Sequence, residues 1–387
     1  MSVEQYDLIV IGGGIQGAGV AQAAAAAGHS VALFEQYDML AQGTSSRSSK
    51  LIHGGLRYLE TRQFSLVREC LRERALLLKN APDLVSLKAF HIPVYEGARH
   101  GVFMLKAGLA AYALLNGLRA DSHFNGLPRS AWDGLDGLRT DGLRAVLRYY
   151  DGQADDAALT RAVMTSAIEL GAELRLSHTA ECIELNPAGV EVTFQTDAGE
   201  FHCRARALVN AAGPWALRVL DRVMPAQSIV PVELVAGTHV ILDRRLDVGI
   251  YYVEASDGRP VFIMPWQGQT LIGTTERVFN GDPTCIKPTA GEVDYLLDTY
   301  RRYFPGEIPQ MTNAFAGLRV LPSGGDPNRR PRETLFLTDR KHKPRVLSVL
   351  GGKLTAYRAT AERIMNKLEL PERMARGDTR RLSLRAQ

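Results

Sequence analysis

The chain has 387 residues, 45% of them hydrophobic and 23% charged, with a formal net charge of +4. That length exceeds one small core and implies two or more domains. The mild positive balance suits an anionic small ligand or an anionic membrane surface, and is too weak to argue for nucleic acid. Four scattered cysteines, Cys70, Cys182, Cys203 and Cys285, show neither Cys-x-x-Cys nor metal-ligand spacing, so no metal is expected and the thiols read as reduced, on the cytoplasmic side.

The first stretch, YDLIVIGGGIQGAGVAQAAAAAGHSVALFEQ (6–36), has no basic n-region, so it reads as a strand opening a domain rather than a signal peptide. Leu8 to Ile11 is a short, fully apolar run, as a buried parallel strand requires. Gly12, Gly14 and Gly17 follow at G-x-G-x-x-G spacing: the first for a tight turn, the second for backbone approach to a pyrophosphate, the third for helix–strand packing. Ala18 to Ala27 predicts a helix capped by Gly28, and Ser30 to Phe34 a second strand ending at Glu35. Glu35 lies 23 residues after Gly12, where a ribose-binding acid belongs. The motif leaves NAD and FAD open.

The next stretch, GTSSRSSKLIHGGLRYLE (43–60), sets hydroxyls (Thr44, Ser45, Ser46, Ser48, Ser49) beside Lys50 and His53, then a Gly-Gly pair, Arg57 and Tyr58. Donors, cations and permissive glycines together fit a segment that lies along a cofactor and holds one end of an anionic substrate. From Phe64 to Lys79 a helix is expected whose Arg68, Glu69, Arg72, Glu73 and Arg74 form a solvated face. Residues 101–118 are apolar but interrupted by Lys106 and Asn116, which predicts a core or domain-interface helix rather than a spanning one, with a membrane-surface helix as the alternative. Asp-Gly turns at 132–155 precede a helix from Asp156 to Leu170, strands at 173–185 and 190–196, and a strand from Ala207 to Ala211. From about 228 to 321, THVILD, VFIMPW and TLIGTT read as a sheet-forming domain. SGGDPNRRPRE (323–333) reads as a solvent loop, and residues from 345 as strand, turn and a helix starting near Leu354. The arginine-rich tail from Arg373 reads as disordered.

Five motifs in order, GGGIQGAG, GTSSRSSKLIHGGLRYLE, NAAGPW (210–215), IGTTE (272–276) and GGKLTAYR (351–358), resemble the FAD-dependent glycerol-3-phosphate dehydrogenases of the D-amino-acid-oxidase-like superfamily. The likeness runs from about residue 5 to about 368, so the family's C-terminal helical domain is expected to be missing. The resemblance implies an α/β fold, α+β overall: a Rossmann-like FAD-binding domain (1–95, 150–225, 335–372), a mainly antiparallel-sheet substrate domain (96–149, 226–334) and a basic tail (373–387). It implies oxidation of the secondary hydroxyl of glycerol 3-phosphate, with electrons leaving to quinone or oxygen, in a cytoplasmic enzyme peripheral to the membrane. It names no oligomer.

Carried over by position, FAD would be held by Gly12, Gly14, Gly17, Glu35 and Gln36, by Thr44, Ser45, Ser46, Ser49, Lys50, Leu51 and His53, by Ala212 and Gly213, and by Gly352, Lys353, Leu354 and Thr355. Substrate would meet Arg57, Tyr58, Thr275, Arg319 and Lys353. The chain departs from the family at Glu276, Val320 and Ala356, where Asp, Pro and Thr are usual. Removing a hydroxyl proton needs a base within hydrogen-bond reach, for which His239 is the first candidate and His53 the second, with Arg319 beside them. The cations Arg57, Arg319 and Lys353 suit a phosphate or carboxylate. A 2-hydroxy acid or amine oxidase, and a flavin-binding subunit needing a partner chain, are the alternatives.

Overall fold

The computed structural model describes residues 3–324 and 334–386, so most of the loop reading at 323–333 lies outside the described residues. Among the described residues seven α-helices occur: α1 (Ile15–Ala26), α2 (Phe64–Asn80), α3 (Val102–Leu115), α4 (Asp156–Glu169), α5 (Ala216–Leu220), α6 (Ala290–Tyr303) and α7 (Tyr357–Met365).

Leu8 to Ile11 of the strand Glu4–Ile11, and all of Val31–Phe34, are apolar on both faces, so both faces must be covered. On one side α1 presents mostly glycine and alanine, which lets α4 and α7 pack against it, with Leu8, Val10, Leu159, Val163 and Ile364 sealed between the layers. Parallel pairing runs from Glu173–Arg175 through Val31–Phe34 and Glu4–Ile11 to the second half of Gly199–Asn210, then to Val346–Leu350. The first half of Gly199–Asn210 pairs antiparallel with Gly189–Thr196. This Rossmann-like half is a nine-stranded sheet among the described residues.

The other sheet has ten described strands and is mainly antiparallel. Its two long pairs are Val85–Tyr95 with Leu143–Ala154, and Val232–Leu242 with Met311–Pro322. A Thr289–Glu292 capping box starts α6, whose Leu296 and Tyr300 pack on Val240, Tyr251 and Ile272. Val85–Tyr95, Leu51–Ile52 and residues 150–154, expected in the cofactor domain, pair into this second sheet. By strand pairing the chain enters the second sheet by Leu51, earlier than expected, and leaves it only after Ala154, later than expected.

Three local expectations are corrected. The charged face of α2 is only partly solvated: Arg68 and Arg72 are exposed, but Glu73 and Arg74 are buried. Glu73 takes two hydrogen bonds from Arg358 of α7, at 2.8 and 2.6 Å, and Arg74 is ion-paired with Asp151 and Asp121. Helix α3 is not a core helix, since it buries only Leu109, Tyr112 and Ala113 and leaves Phe103 87% exposed. The tail is docked rather than loose: Arg373 pairs with Asp7 at 3.0 Å, the N–H of Arg376 reaches Ala26 O, and Leu384 is buried. Paired arginines and one apolar anchor order it where composition suggested disorder.

Removing one partner of a buried ion pair strands the other charge, whereas removing both leaves none. Arg358 also reaches Glu362 at 3.3 Å, so the charge left stranded is that of Glu73: Arg358→Met is expected to lose about 3–5 kcal/mol of unfolding free energy, and Glu73→Leu/Arg358→Met to recover most of it. Urea midpoints of the two variants check this.

Candidate functional site

Two hollows meet above the carboxyl ends of the parallel strands, where open α/β sheets place ligands. The larger, about 500 Å³, runs from the glycine turn past Glu35 and Gln36 to Thr44, Ser45, Ala212, Gly213, Gly352, Lys353 and Leu354. The smaller, about 230 Å³, is walled by Ser49, Leu51, His53, Arg57, Tyr58, Arg319, Lys353 and Thr355. Thr44, Ser48, Tyr58, Arg319, Lys353 and Leu354 face both.

The glycine turn is sterically determined. Gly12 has φ +110° and a Cβ there would lie 2.7 Å from Ala211 O, while a Cβ on Gly17 would lie 1.9 Å from Gly12 O. Gly17 thus serves the strand–helix contact and lines neither hollow. Glu35 closes over the turn, accepting from the N–H of Gly13 and, at 3.1 Å, from that of Tyr37. Burial raises its pKa, against the pull of those amides.

The hydroxyl loop spans both hollows because it is tied at several points. Ser45 Oγ accepts from Ile15 N at 2.9 Å, at the start of α1, and Thr44 Oγ1 donates to Leu318 O at 2.6 Å, on the second sheet. Asp156, the fully buried first residue of α4, accepts from Ser48 N at 3.0 Å, Ser48 Oγ at 2.6 Å and Lys50 Nζ at 2.6 Å. Lys50 was expected on the cofactor; its ammonium instead meets Asp156 and Ser46 O and faces neither hollow. Ser46, whose hydroxyl bonds Gly43 O, lines neither hollow.

In the second sheet, cross-strand partners and every second residue share a face. Gly237 and His239 therefore lie with their partners Gly317 and Phe315, and with Arg319 two residues on. A Cβ on Gly237 would meet Thr274 Oγ1 at 2.5 Å and Arg319 Nη1 at 2.7 Å, so glycine leaves room for the guanidinium. Arg319 donates to Thr274 Oγ1 at 3.1 Å, and both Arg319 and Arg57 approach the Glu276 carboxylate, at 4.0 and 3.9 Å. Thr275 turns away from the hollow: its hydroxyl donates to Glu292 at 2.7 Å and accepts from Thr238 N. Arg47, Thr274 and Glu276 line the small hollow and were not among the expected site residues. In the sequence Glu276 stands out only as a departure from the family pattern.

His239 is 1% exposed, its ring stacked on Phe315 and its Nε2 2.9 Å from Ser49 Oγ. Burial first, then Arg319 and Lys50, push its pKa down to about 3. His53 is pushed down to about 3 by burial, Lys353 and Arg57. Both rings are therefore neutral near pH 7. The Nζ of Lys353 is buried over the Tyr58 ring, 3.6 Å from its centroid, with no oxygen acceptor among the described residues. Lys353 and Leu354 lie in a loop, since α7 starts only at Tyr357.

A family model described as FAD dependent oxidoreductase matches residues 7–358. The chain is 38% identical over 377 residues to the glycerol-3-phosphate dehydrogenase of Pseudomonas aeruginosa, across 95% of this chain and 72% of that one. It is 37% identical over 387 residues to the D-erythritol 1-phosphate dehydrogenase of Brucella abortus, across 95% and 74%. The solved structure of the glycerol-3-phosphate dehydrogenase of Bacillus halodurans, complexed with FAD, is similar with a TM-score of 0.71 and 28% identity, across 97% of this chain and 68% of that one.

Asp156→Ala leaves the Lys50 ammonium buried without its carboxylate, with an expected loss of about 3–5 kcal/mol of stability read from urea unfolding. A pH effect follows from the histidines. His239 and His91 are each 1% exposed, with pKa values lowered from 6.5 to about 3 and about 4, chiefly by burial. The unfolded chain then binds more protons between the two values, so this stability is complete above pH 6.5 and is lost as pH falls. Unfolding free energy should drop by up to about 1.4 kcal/mol per histidine per pH unit below about pH 6, and His91→Gln should make that slope shallower.

Proposed function

The chain belongs to the FAD-dependent oxidoreductase family, and we propose that within it the protein oxidises the secondary hydroxyl of sn-glycerol 3-phosphate to dihydroxyacetone phosphate. The observation that carries this reading is the charge of the small hollow. Arg47, Arg57, Arg319 and Lys353 face it against a single carboxylate, Glu276, among the described residues. Such a surplus matches a phosphate monoester, which carries about −1.5 to −2 at neutral pH.

The residues of the larger hollow fit FAD. A cleft whose floor excludes any Cβ at Gly12, beside the start of α1, suits a pyrophosphate, for which backbone N–H groups and the helix dipole are favourable. Glu35 lines the same cleft, and its spacing from the glycine turn supports assigning it to the ribose. The buried Lys353 ammonium, with no oxygen to meet, suits the anionic edge of a reduced ring or the substrate phosphate. We assign Gly12, Gly14, Glu35 and Gln36, with Thr44, Ser45, Ala212 and Gly213, to the ADP side, and Ser49, Leu51, His53, Gly352, Leu354 and Thr355 to the ring side. When bound there, FAD supplies the acceptor for the hydride of the carbinol carbon.

The protein's own part is positioning, charge and one proton. Arg57 and Arg319 can offer planar forks to the phosphate, and Lys353 a point charge. Ser49 lines the hollow and His239 Nε2 stands 2.9 Å from its hydroxyl, an acceptor in the tautomer protonated at Nδ1. In this reading the substrate's hydroxyl proton passes to Ser49 Oγ as Ser49's own proton passes to His239. Burial is the larger cause of the lowered His239 pKa; a bound dianion offsets the smaller contribution of Arg319 and Lys50 and so raises it. The electron acceptor we propose is a quinone at the membrane surface, a reading supported by the apolar outward side of α3. No helix among the described residues is long and apolar enough to span a bilayer.

A second substrate, another polyol phosphate, is favoured by the nearly equal identity to the D-erythritol 1-phosphate dehydrogenase. Comparing kcat/KM for glycerol 3-phosphate, erythritol phosphate and 2-hydroxyglutarate separates these readings. Preference for the hydroxy acid would sink both phosphate readings. In the FAD-loaded enzyme, Arg57→Ala should raise KM by about 10–100-fold. His239→Gln should lower kcat by about 10²–10⁴-fold, with the flavin retained.

A further inference from the structure

The segment from His53 to Tyr58 forms one wall of the small hollow, and Arg57 stands on it. Its backbone is held from behind at two adjacent points. The N–H of His53 donates to Thr355 Oγ1 at 3.1 Å, and the N–H of Gly54 donates to Tyr112 Oη at 2.7 Å. A Cβ on Gly54 would lie 2.6 Å from that phenol oxygen and 2.8 Å from Leu71, so the approach requires glycine. After Gly55, at φ +81°, the N–H of Tyr58 closes on Gly55 O at 2.9 Å and forms the turn that carries Arg57.

Tyr112 lies outside the hollow, and its hydroxyl has a fixed direction. It donates to Asp151 Oδ2 at 2.6 Å, and an ionised carboxylate can only accept. The oxygen's lone pair is therefore left for Gly54. The other oxygen of Asp151 is ion-paired with Arg74, which also reaches Asp121. Tyr112, Asp151 and Arg74 are 4%, 1% and 0% exposed. A buried chain from cation to carboxylate to phenol to amide is polarised along its length, which strengthens each link.

We propose that Tyr112 is a positioning residue for substrate binding. Held by the Asp151–Arg74 pair, it fixes the Gly54 amide and so sets Arg57 for the substrate's anion. This rests on the reading of the small hollow as a phosphate-ester site.

The test uses the FAD-loaded Tyr112→Phe enzyme beside Leu109→Ala, a truncation on the buried side of the same helix that removes no hydrogen bond from the segment. Two quantities are read: amide hydrogen exchange across residues 53–58, and the separate changes in KM and kcat for glycerol 3-phosphate. Tyr112→Phe should speed exchange at 53–58 and raise KM, each about tenfold, with kcat changed less than about threefold, while Leu109→Ala moves neither by more than about twofold. Exchange unchanged in Tyr112→Phe, or KM raised equally by Leu109→Ala, overturns the proposal. If the wild type does not turn over glycerol 3-phosphate, the substrate reading fails by itself, and the exchange comparison still decides whether Tyr112 holds the segment.

Discussion

The buried ion pair between Lys50 and Asp156 is the constraint on which both hollows depend. Asp156 also receives the amide and hydroxyl of Ser48, so one carboxylate at the start of α4 gathers three donors from the hydroxyl loop. Lys50 sits at φ +59°, a conformation L residues seldom adopt, and the ion pair helps to hold it there. Because the loop is pinned, Thr44 and Ser45 face the cofactor cleft while Ser49 and the strand leading to His53 face the hollow beside it. A charge buried this deeply is costly without its partner, so the arrangement is close to all-or-none.

A second theme is the separation of charge. Cations gather at the small hollow, yet the two histidines beside them stay neutral, because burial and those same cations oppose protonation. Glu276 stands between Arg57 and Arg319 and holds the two guanidiniums near one another without neutralising the hollow. The result suits a doubly charged ester: attraction for the phosphate, with uncharged imidazole rings beside it.

Legibility in the sequence followed from how local each cause is. The glycine turn, α1 and Glu35 could be read directly, since chain spacing alone determines their geometry. The convergence of Arg57, Arg319 and Lys353 could be read only through family resemblance, because three distant segments meet through two sheets. Lys50 and Thr275 were expected on ligands, and tertiary partners in α4 and α6 turned both elsewhere. Arg47 sits within a run of serines and Thr274 beside Thr275, so neither carries a signal of its own in the sequence. Glu73 and Arg74 look like ordinary surface charges in the sequence, and only the packing of α7 and residues 121–151 over α2 makes them interior. The tail's order likewise depends on Asp7, which lies 366 residues from Arg373.

The most direct measurement is an anaerobic titration of the FAD-loaded protein with glycerol 3-phosphate, followed near 450 nm, roughly where oxidised flavin absorbs. Stoichiometric bleaching is the predicted result: it would show that glycerol 3-phosphate delivers its hydride to the bound flavin. A bound flavin left fully oxidised by excess glycerol 3-phosphate, yet bleached by a 2-hydroxy acid, would contradict the account.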